Sequence, residues 1–260
     1  MDKPKSAILD GDIIAYQTAF WTEANDPSKF PRKVKEIIKN WTPSGVTDIR
    51  IALSCSRDDN FRRDEWPNYK TNRTNMYVPE YLKDVKEYLE QTYFTETIDK
   101  VEADDIMGIN ALEHVAVTID KDLRGVSGWH FNPSKEEEPV FISEKEAYRF
   151  FCKQWMMGDA TDCIPGLWRV GPKKADKFLE EWEEGFDELF EADGDMAIVT
   201  EKAKEYEEEL MKKYKVERSV ELPKSMKAWK QLLEQHHSGI MVDVHAKTGE
   251  LMFVILDLGL

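Results

Sequence analysis

Acidic side chains follow two predicted strands, at positions where carboxylates could bind a cation. Asp10 and Asp12 come directly after a short apolar run, and Asp120 and Asp122 come after a β-branched run. Ligands of open parallel sheets bind at the carboxyl ends of the strands. Hard cations such as Mg²⁺ prefer oxygen ligands, and water completes their coordination shell. These four acids therefore predict a cation site at one edge of a sheet.

Two further acidic groups have the spacing of a helix turn. Glu102, Asp104 and Asp105 lie in the first turn of a predicted helix, while Asp159 and Asp162 follow another helix with the same three-residue spacing. Two ions about 4 Å apart can activate a water and stabilise the leaving oxygen of a phosphodiester. Each group also has an ordinary explanation, because acids are common in turns and favour the positive end of a helix. Their combined order along the chain is what favours a metal site.

Strands and helices alternate in the part of the chain that must position these acids. Hydrophobic periodicity predicts strands at 7–10, 49–53 and 115–119, and helices at 13–21, 32–41, 79–91 and 102–113. The segment 128–133 is predicted to be a packed loop. This alternation predicts an α/β fold with a mostly parallel central sheet flanked by helices.

The second half of the chain is predicted to be mainly helical. Ser143 and Glu146 form a capping box that opens a helix to about Met157. A turn-rich loop at 158–171, a helix from Pro172, helical segments over 186–237 and a strand at 251–256 follow. We therefore predict an α/β domain over 1–142, which carries most of the acids, and an appended helical region over 143–260.

The overall composition is strongly acidic, with a formal net charge of -15 at pH 7. This charge argues against a protein that coats nucleic acid through bulk positive charge, but it allows a local basic strip. With 41% hydrophobic residues the chain can build a core, and no apolar run is long enough to span a membrane. The three cysteines lack paired spacing and the start does not resemble a signal peptide, which predicts reduced thiols and a cytoplasmic location.

The order of the acids and of two basic segments resembles the flap endonuclease and 5′→3′ exonuclease family, especially its small bacteriophage-type enzymes. The matching pieces occur in the family's order at 8–12, 60–63, 67–73, 101–105, 120–123, 158–166 and 171–175. The resemblance implies a PIN-like nuclease domain over 1–142. It also implies a helix–three-turn–helix element over 158–178, which offers backbone N–H groups and a helix start to phosphates.

The resemblance also implies roles for individual residues. It implies metal ligands at Asp10, Glu102, Asp104, Asp120, Asp122 and Asp159, and outer or second-site ligands at Asp105 and Asp162. Lys70 and Arg73 would be the basic pair that contacts the scissile phosphate. Further contacts to DNA are implied for Arg62, Arg63, Gly166, Arg169, Gly171, Lys173 and Lys174. The implied cofactors are two or more Mg²⁺ or Mn²⁺ ions, with K⁺ as a candidate at the hairpin of the helix–three-turn–helix element.

The implied activity is metal-dependent hydrolysis of DNA at 5′ ends, flaps or gaps by a monomer, in the host cytoplasm if a phage encodes it. Two alternatives stay open: a 5′ nuclease acting on RNA or RNA–DNA hybrids, and a non-catalytic protein that binds branched DNA. The chain departs from the family in two places. After the second strand, either Asp58 or Asp59 supplies the family's further acid or nothing does, and Arg169 stands where a glycine is common.

Overall fold

The computed structural model describes residues 2–65, 68–73, 76–167, 170–181, 239–244 and 251–256. Contacts divide the chain into two compact units. Unit 1 comprises Met1–Phe61, Asn75–Ala147 and Val244–Met252, and unit 2 comprises Arg62–Thr74, Tyr148–Asp243 and Phe253–Leu260. The domain division predicted after residue 142 stays a prediction.

The described residues form the alternating elements expected from the sequence, and they include two helices of the region that was predicted to be helical. The strands are β1 (Ser6–Asp10), β2 (Asp48–Ala52), β3 (Thr95–Glu96), β4 (Val115–Val117), β5 (Gly128–Phe131), β6 (Val140–Ile142), β7 (Gly158–Asp159), β8 (Ile164–Pro165), β9 (Gly239–Val244) and β10 (Leu251–Leu256). The helices are α1 (Gly11–Glu23), α2 (Phe30–Trp41), α3 (Phe61–Glu65), α4 (Leu82–Thr92), α5 (Ala103–Asn110), α6 (Glu144–Met157) and α7 (Pro172–Glu181). Four short 3₁₀ turns occur at Pro27–Lys29, Arg57–Asp59, Thr71–Arg73 and Asp122–Gly125.

The central sheet of unit 1 has six strands in the order β3-β2-β1-β4-β5-β6. All neighbouring pairs are parallel except β5 with β6, which is antiparallel. The chain therefore proceeds outward from β1 to β2 and β3 on one side, and then crosses to β4 on the other side. This reversal places the topological switch point between β1 and β4, where ligands of such sheets bind. The predicted mostly parallel α/β fold is confirmed.

Alternate side chains of the central strands serve two apolar clusters. Leu9 of β1 packs in one cluster with buried residues of α1, α2 and α4, whereas Ile8 packs in the other with Ile106 and Met107 of α5. Successive side chains of a strand point to opposite faces, so helices cover both faces of the sheet. The predicted apolar face of α2 is confirmed by the burial of its residues Val34, Ile37, Ile38 and Trp41.

The junction between β1 and α1 depends on a glycine and on a capping aspartate. A Cβ atom at Gly11 would lie 2.5 Å from the carbonyl oxygen of Ala52, so no larger residue fits there without movement. Asp10 caps α1 by accepting a hydrogen bond from the backbone N–H of Ile13 at 3.0 Å. The acid at the strand end therefore begins the helix as well as facing the sheet edge.

A short hairpin of two strands follows α6. The capping box of Ser143 and Glu146 precedes α6 as predicted. The strands β7 and β8 that follow α6 pair antiparallel, with Gly158 opposite Pro165 and Asp159 opposite Ile164. The helix predicted from Pro172 is present as α7, and the strand predicted at 251–256 is present as β10.

Some expectations differ from the structure. The predicted loop at 128–133 is wrong, because Gly128–Phe131 forms β5, pairing with β4 and β6. Strands β3 and β6 were not predicted either, since both are shorter than the five-residue run at 115–119 that predicted β4. The predicted helices over 186–237 lie outside the described residues. Within the described part, no helix is long and apolar enough to cross a membrane.

Candidate metal centre

Asp10 lies at the carboxyl end of β1, beside the switch point of the sheet. Its side chain is 3% exposed, and one oxygen accepts a hydrogen bond from the hydroxyl of Thr118 at 2.8 Å. Burial, together with the charges of Asp12 and Asp120, raises the pKa of Asp10 from 3.8 to about 6, although its hydrogen bonds from Ile13 and Thr118 oppose the rise. A carboxylate in this position is destabilised by its surroundings unless a positive charge joins it.

Asp120 and Asp122 follow β4 on the other side of the switch point. The backbone N–H of Asp120 donates to the hydroxyl of Thr118 at 3.0 Å, so Thr118 links Asp120 to Asp10. The N–H of Asp122 donates to a carboxylate oxygen of Asp120 at 2.9 Å. Asp120 also lines a shallow cavity of about 400 Å³ together with Ile13, Ile119, Lys121 and Lys135. The acids of β1 and β4 therefore belong to one edge of the sheet, as predicted from their strand-end positions.

Glu102, Asp104 and Asp105 surround the start of α5. Glu102 is the N-terminal capping residue, and its carboxylate accepts a hydrogen bond from the side-chain amide of Asn60 at 2.7 Å. Asp105 is buried, and its carboxylate accepts from the backbone N–H of Glu102 at 3.1 Å. Asp104, which is partly exposed, lies in the first turn. Asp105 thus has a capping function in its own helix, whereas the roles of all three as metal ligands stay predictions.

Asp12 has two partners of its own in unit 1. One oxygen accepts from the backbone N–H of Ser54 at 3.2 Å, and the other forms an ion pair with the ammonium of Lys86 at 2.6 Å. Ser54 also uses its hydroxyl to accept from the N–H of Ala103. The loop after β2 is therefore joined both to the first turn of α1 and to the start of α5.

The two acids considered after the second strand lie in a 3₁₀ turn. Asp58 and Asp59 are both exposed. The pKa of the neighbouring Cys55 thiol is raised by burial first and then by the charges of Glu102 and Asp59. Asp59 is therefore close enough to the Glu102 region to add to its negative potential. Whether either acid replaces the family's ligand stays open.

The donor set at this sheet edge fits a hard divalent cation. It consists of carboxylate oxygens, which Mg²⁺ and Mn²⁺ prefer, and the pKa of Asp10 is raised by burial first and then by neighbouring carboxylates, an effect that a bound cation would offset. Within the described residues, no group of three or more His, Cys, Asp or Glu side chains is arranged so that it could hold a metal ion. The assignment of individual ligands therefore remains a prediction.

The predicted basic pair belongs to unit 2 and contacts a predicted ligand. Arg73 donates to a carboxylate oxygen of Asp162 at 3.0 Å, and the ammonium of Lys70 lies 4.0 Å from the same oxygen. The backbone N–H of Lys70 donates to the carbonyl of Asp162 at 3.3 Å. Lys70 has a φ of 52°, and its ammonium lies over the ring of Tyr69, 4.7 Å from the centroid. Asp162 therefore pairs with both basic side chains, Lys70 and Arg73, which the family resemblance assigned to the scissile phosphate.

Further contacts join the same two segments. The side-chain amide of Asn72 donates to the carbonyl oxygens of Ala160 and Thr161 at 3.0 and 3.1 Å. Asp159 accepts from the backbone N–H of Thr161 at 2.6 Å, which is a local turn contact. The segments 68–73 and 158–166 thus contact each other within unit 2, with Arg73 and Asp162 separated by 89 residues in the chain.

The residues predicted to contact DNA have different environments. Arg62 and Arg63 are partly exposed, and the guanidinium of Arg62 lies 5.9 Å from the ring centroid of Tyr69. Lys173 is exposed and Lys174 is partly exposed at the start of α7. Arg169 lies outside the described residues.

The two glycines of the predicted DNA-binding set differ in their packing. At Gly166 an added Cβ would lie 2.1 Å from the carbonyl carbon of Met157, whereas at Gly171 no atom of the described residues lies within 4 Å of an added Cβ. Gly166 is therefore required by packing against the end of α6. Packing at Gly171 imposes no such requirement.

Sequence reasoning missed several residues that hold the acids in place. Thr118, Asn60, Ser54 and Lys86 contact Asp10, Glu102 and Asp12. Asn60 lies in the matching segment 60–63 but was given no role, and the other three lie in no matching segment. Thr118 carried a weak signal, because it is a polar residue at the end of a β-branched run and two residues before Asp120. Lys86 gave none, since a lysine on an amphipathic helix is usually exposed.

The fold defined by this sheet and these helices is that of known 5′ nucleases. A bacteriophage T5 protein co-crystallised with metal ions superposes with a TM-score of 0.51 at 22% sequence identity, covering 68% of this chain and 75% of that chain. The bacteriophage T5 flap endonuclease, in a complex with DNA and metal ions, also has a TM-score of 0.51 at 21% identity with the same coverage. The predicted fold class is confirmed, and the resemblance to 5′ nucleases is confirmed for the fold.

Curated proteins of similar sequence are DNA polymerases. DNA polymerase I of Caldicellulosiruptor bescii is 26% identical over 209 residues, which cover 68% of this chain and 24% of that protein. The thermostable DNA polymerase I of Thermus aquaticus is 27% identical over 207 residues, with 69% and 24% covered. The chain thus spans about a quarter of the length of these relatives. No family model matches the chain.

Proposed function

We propose that this chain is a divalent-metal-dependent 5′ nuclease that hydrolyses DNA phosphodiesters as a 5′→3′ exonuclease and a structure-specific flap endonuclease. One observation carries the proposal. Asp10 and Asp120 lie at the switch point of a sheet, linked through Thr118, in a fold shared with a flap endonuclease whose structure contains DNA and metal ions. The similarity to DNA polymerases I adds a second, independent link to DNA.

Eight acids are the proposed metal ligands. Asp10, Glu102, Asp104, Asp120, Asp122 and Asp159 would be direct ligands, and Asp105 and Asp162 outer or second-site ligands. Two or more Mg²⁺ or Mn²⁺ ions, when bound, would supply an activated water and stabilise the leaving oxygen. A K⁺ ion at the hairpin of the helix–three-turn–helix element would add a further contact to phosphate.

The chain's own residues would bind and orient the substrate. Lys70 and Arg73 would contact the scissile phosphate, where a transition state gathers negative charge that fixed cations stabilise. Arg62, Arg63, Arg169, Lys173 and Lys174 would contact other phosphates, and the backbone at Gly166 and Gly171 would offer N–H groups. The substrates would be DNA with 5′ ends, flaps or gaps, bound by a monomer in the cytoplasm.

A panel of labelled substrates tests this proposal. The purified chain is incubated with 5′-labelled duplex, gapped and flapped DNA, in Mg²⁺, in Mn²⁺ and in EDTA. We expect cleavage near 5′ ends that requires the metal. Cleavage that persists in EDTA would contradict the proposal, as would the absence of cleavage on every substrate.

The same panel addresses the two remaining alternatives. Faster cleavage of RNA or of RNA–DNA hybrids than of DNA would favour a ribonuclease with the same metal chemistry. Binding of flapped DNA without turnover would indicate a non-catalytic relative. A variant with Asp122→Asn is expected to lose activity, and Asp84→Asn, in the exposed first turn of α4, is the matched control.

A further inference from the structure

We propose that Lys86 is a built-in counter-ion that sets how tightly the carboxylates of unit 1 bind divalent cations. The inference rests on the proposed function, because it assumes that these acids bind metal. It assigns a role to a residue that lies in no motif and that the proposed ligand set does not include. Lys86 would be a positioning residue acting through Asp12, and not a ligand or a catalytic residue.

The helix α4 holds Lys86 against the start of α1. Val85 and Leu89 of α4 are fully buried in the same apolar cluster as Ile14 and Ala15 of α1. Lys86 extends from this packed helix, and its side chain is 30% exposed. A lysine that is anchored by a buried neighbour loses less conformational freedom on pairing than one on a loose surface.

The contact between Lys86 and Asp12 is short and supported on its other side. The two charged atoms are 2.6 Å apart, and Asp12 is 23% exposed. The second oxygen of Asp12 accepts from the backbone N–H of Ser54, which fixes the carboxylate in one orientation. By contrast, Lys83 on the same helix is 86% exposed and its pair with Glu87 spans 3.5 Å.

The charge of Lys86 has a predictable effect on any nearby cation. Asp12 is two residues from Asp10 and lies in the first turn of the helix that Asp10 caps. A divalent ion held by Asp10 would be attracted by Asp12 and repelled by Lys86, so the ammonium of Lys86 would offset part of the attraction of Asp12. Removing the charge of Lys86 alone would make the local charge more negative by one unit. Removing the charge of Asp12 alone would make it more positive by one unit.

Mn²⁺ binding to the full chain, followed by electron paramagnetic resonance, tests the inference without reference to activity. The variants are Lys86→Met, Asp12→Asn, the double variant, and Lys83→Met as the matched control. We expect Lys86→Met to tighten Mn²⁺ binding by roughly three- to tenfold and Asp12→Asn to weaken it by a similar factor, less so at high salt. The double variant should return near to the wild-type affinity.

Thermal unfolding in EDTA gives the second readout. Lys86→Met is expected to lower the midpoint because Asp12 loses its partner, while Lys86→Arg should restore both the midpoint and the Mn²⁺ affinity. A residue that only braces the fold would lower stability and weaken Mn²⁺ binding together. Opposite signs for the two quantities in Lys86→Met are therefore the signature of a counter-ion.

Three results would overturn the inference while leaving the proposed function intact. In each, the wild-type chain binds Mn²⁺. In the first, Lys86→Met binds Mn²⁺ as tightly as the wild type, and in the second it binds Mn²⁺ more weakly. In the third, the double variant binds as weakly as Asp12→Asn, which would make Asp12 a direct ligand. Failure of the wild-type chain to bind Mn²⁺ would instead contradict the proposed function.

Discussion

The substitution Asp10→Asn should stabilise the metal-free protein and at the same time remove its response to divalent cations. Asp10 is buried, and its pKa is raised to about 6 by that burial and by neighbouring carboxylates. Asparagine has nearly the same shape and can still accept from Ile13 while it donates to the Thr118 hydroxyl, which is able to accept. The change therefore removes a charge and keeps the cap of α1.

The stabilisation expected for Asp10→Asn can be calculated from the shift in the pKa of Asp10. A rise from 3.8 to about 6 corresponds to about 3 kcal/mol of unfavourable interaction with the ionised carboxylate. Because the folded-state pKa lies above the unfolded one, this carboxyl favours folding only while it is protonated. The stability that it contributes is lost as pH rises from about 4 through 6. The gain from Asp10→Asn should thus be largest at neutral pH and vanish near pH 4.

Urea unfolding in EDTA at several pH values measures this gain, and repeating it with Mg²⁺ measures the response to metal. The control is Asp26→Asn, since Asp26 caps a 3₁₀ turn at an exposed position where hydrogen bonds from Ser28 lower its pKa. That substitution should give no gain at neutral pH. An Asp10→Asn protein that is less stable than the wild type in EDTA at pH 7.5 would refute the reasoning.

Three further predictions concern four substitutions. Asp120→Asn should reduce Mg²⁺-dependent cleavage by about a hundredfold or more in a single-turnover assay, with unchanged circular dichroism because the amide oxygen can still accept from the N–H of Asp122. Burial holds the pKa of His130 near 4, below its usual 6.5. The wild type should therefore lose about 3 kcal/mol of unfolding free energy relative to His130→Gln as pH falls from 6.5 to 4. A difference in unfolding free energy between the two proteins, measured in urea, that stays constant over this pH range would contradict the prediction. Gly166→Ala should destabilise the chain by about 1–3 kcal/mol in denaturant titrations because of the contact with Met157, whereas Gly171→Ala should be close to neutral, and equal effects would show that packing does not distinguish them.

The sheet edge could be predicted because its strands carry a strong local signal. Residues 7–9 of β1 and the whole of β4 are buried apolar runs, typical of central parallel strands covered on both faces, and an acid ends or closely follows each run. β5 gave no such signal, since Gly128 begins it and the polar His130 interrupts its apolar residues. Its strand conformation is imposed by pairing with β4 and β6, which a local pattern cannot reveal.

The partners of the acids could not be predicted because they depend on register between distant segments. Thr118 and Asp10 are 108 residues apart and meet only because β1 and β4 pair in parallel. Lys86 reaches Asp12 only because α4 packs on α1 through Val85 and Leu89. The acids can be recognised from sequence motifs. Which of them form ion pairs, cap helices or lie buried beside other carboxylates depends on the fold.

The basic pair, Lys70 and Arg73, shows how contacts that depend on the fold affect the proposed chemistry. The sequence treats Lys70 and Arg73 as phosphate contacts and Asp162 as a metal ligand, yet Asp162 holds both cations. Long basic side chains lose considerable conformational entropy when they bind a phosphate, and an ion pair that already restrains them reduces this cost. The left-handed backbone at Lys70, at a φ of 52°, is a conformation that persists only where surrounding contacts support it, and the contacts from Asn72 to residues 160 and 161 do so. The more useful role of Asp162 in phosphodiester hydrolysis would therefore be to preorganise the basic pair, and a metal bound by Asp162 would have to compete with Arg73 for the same oxygen.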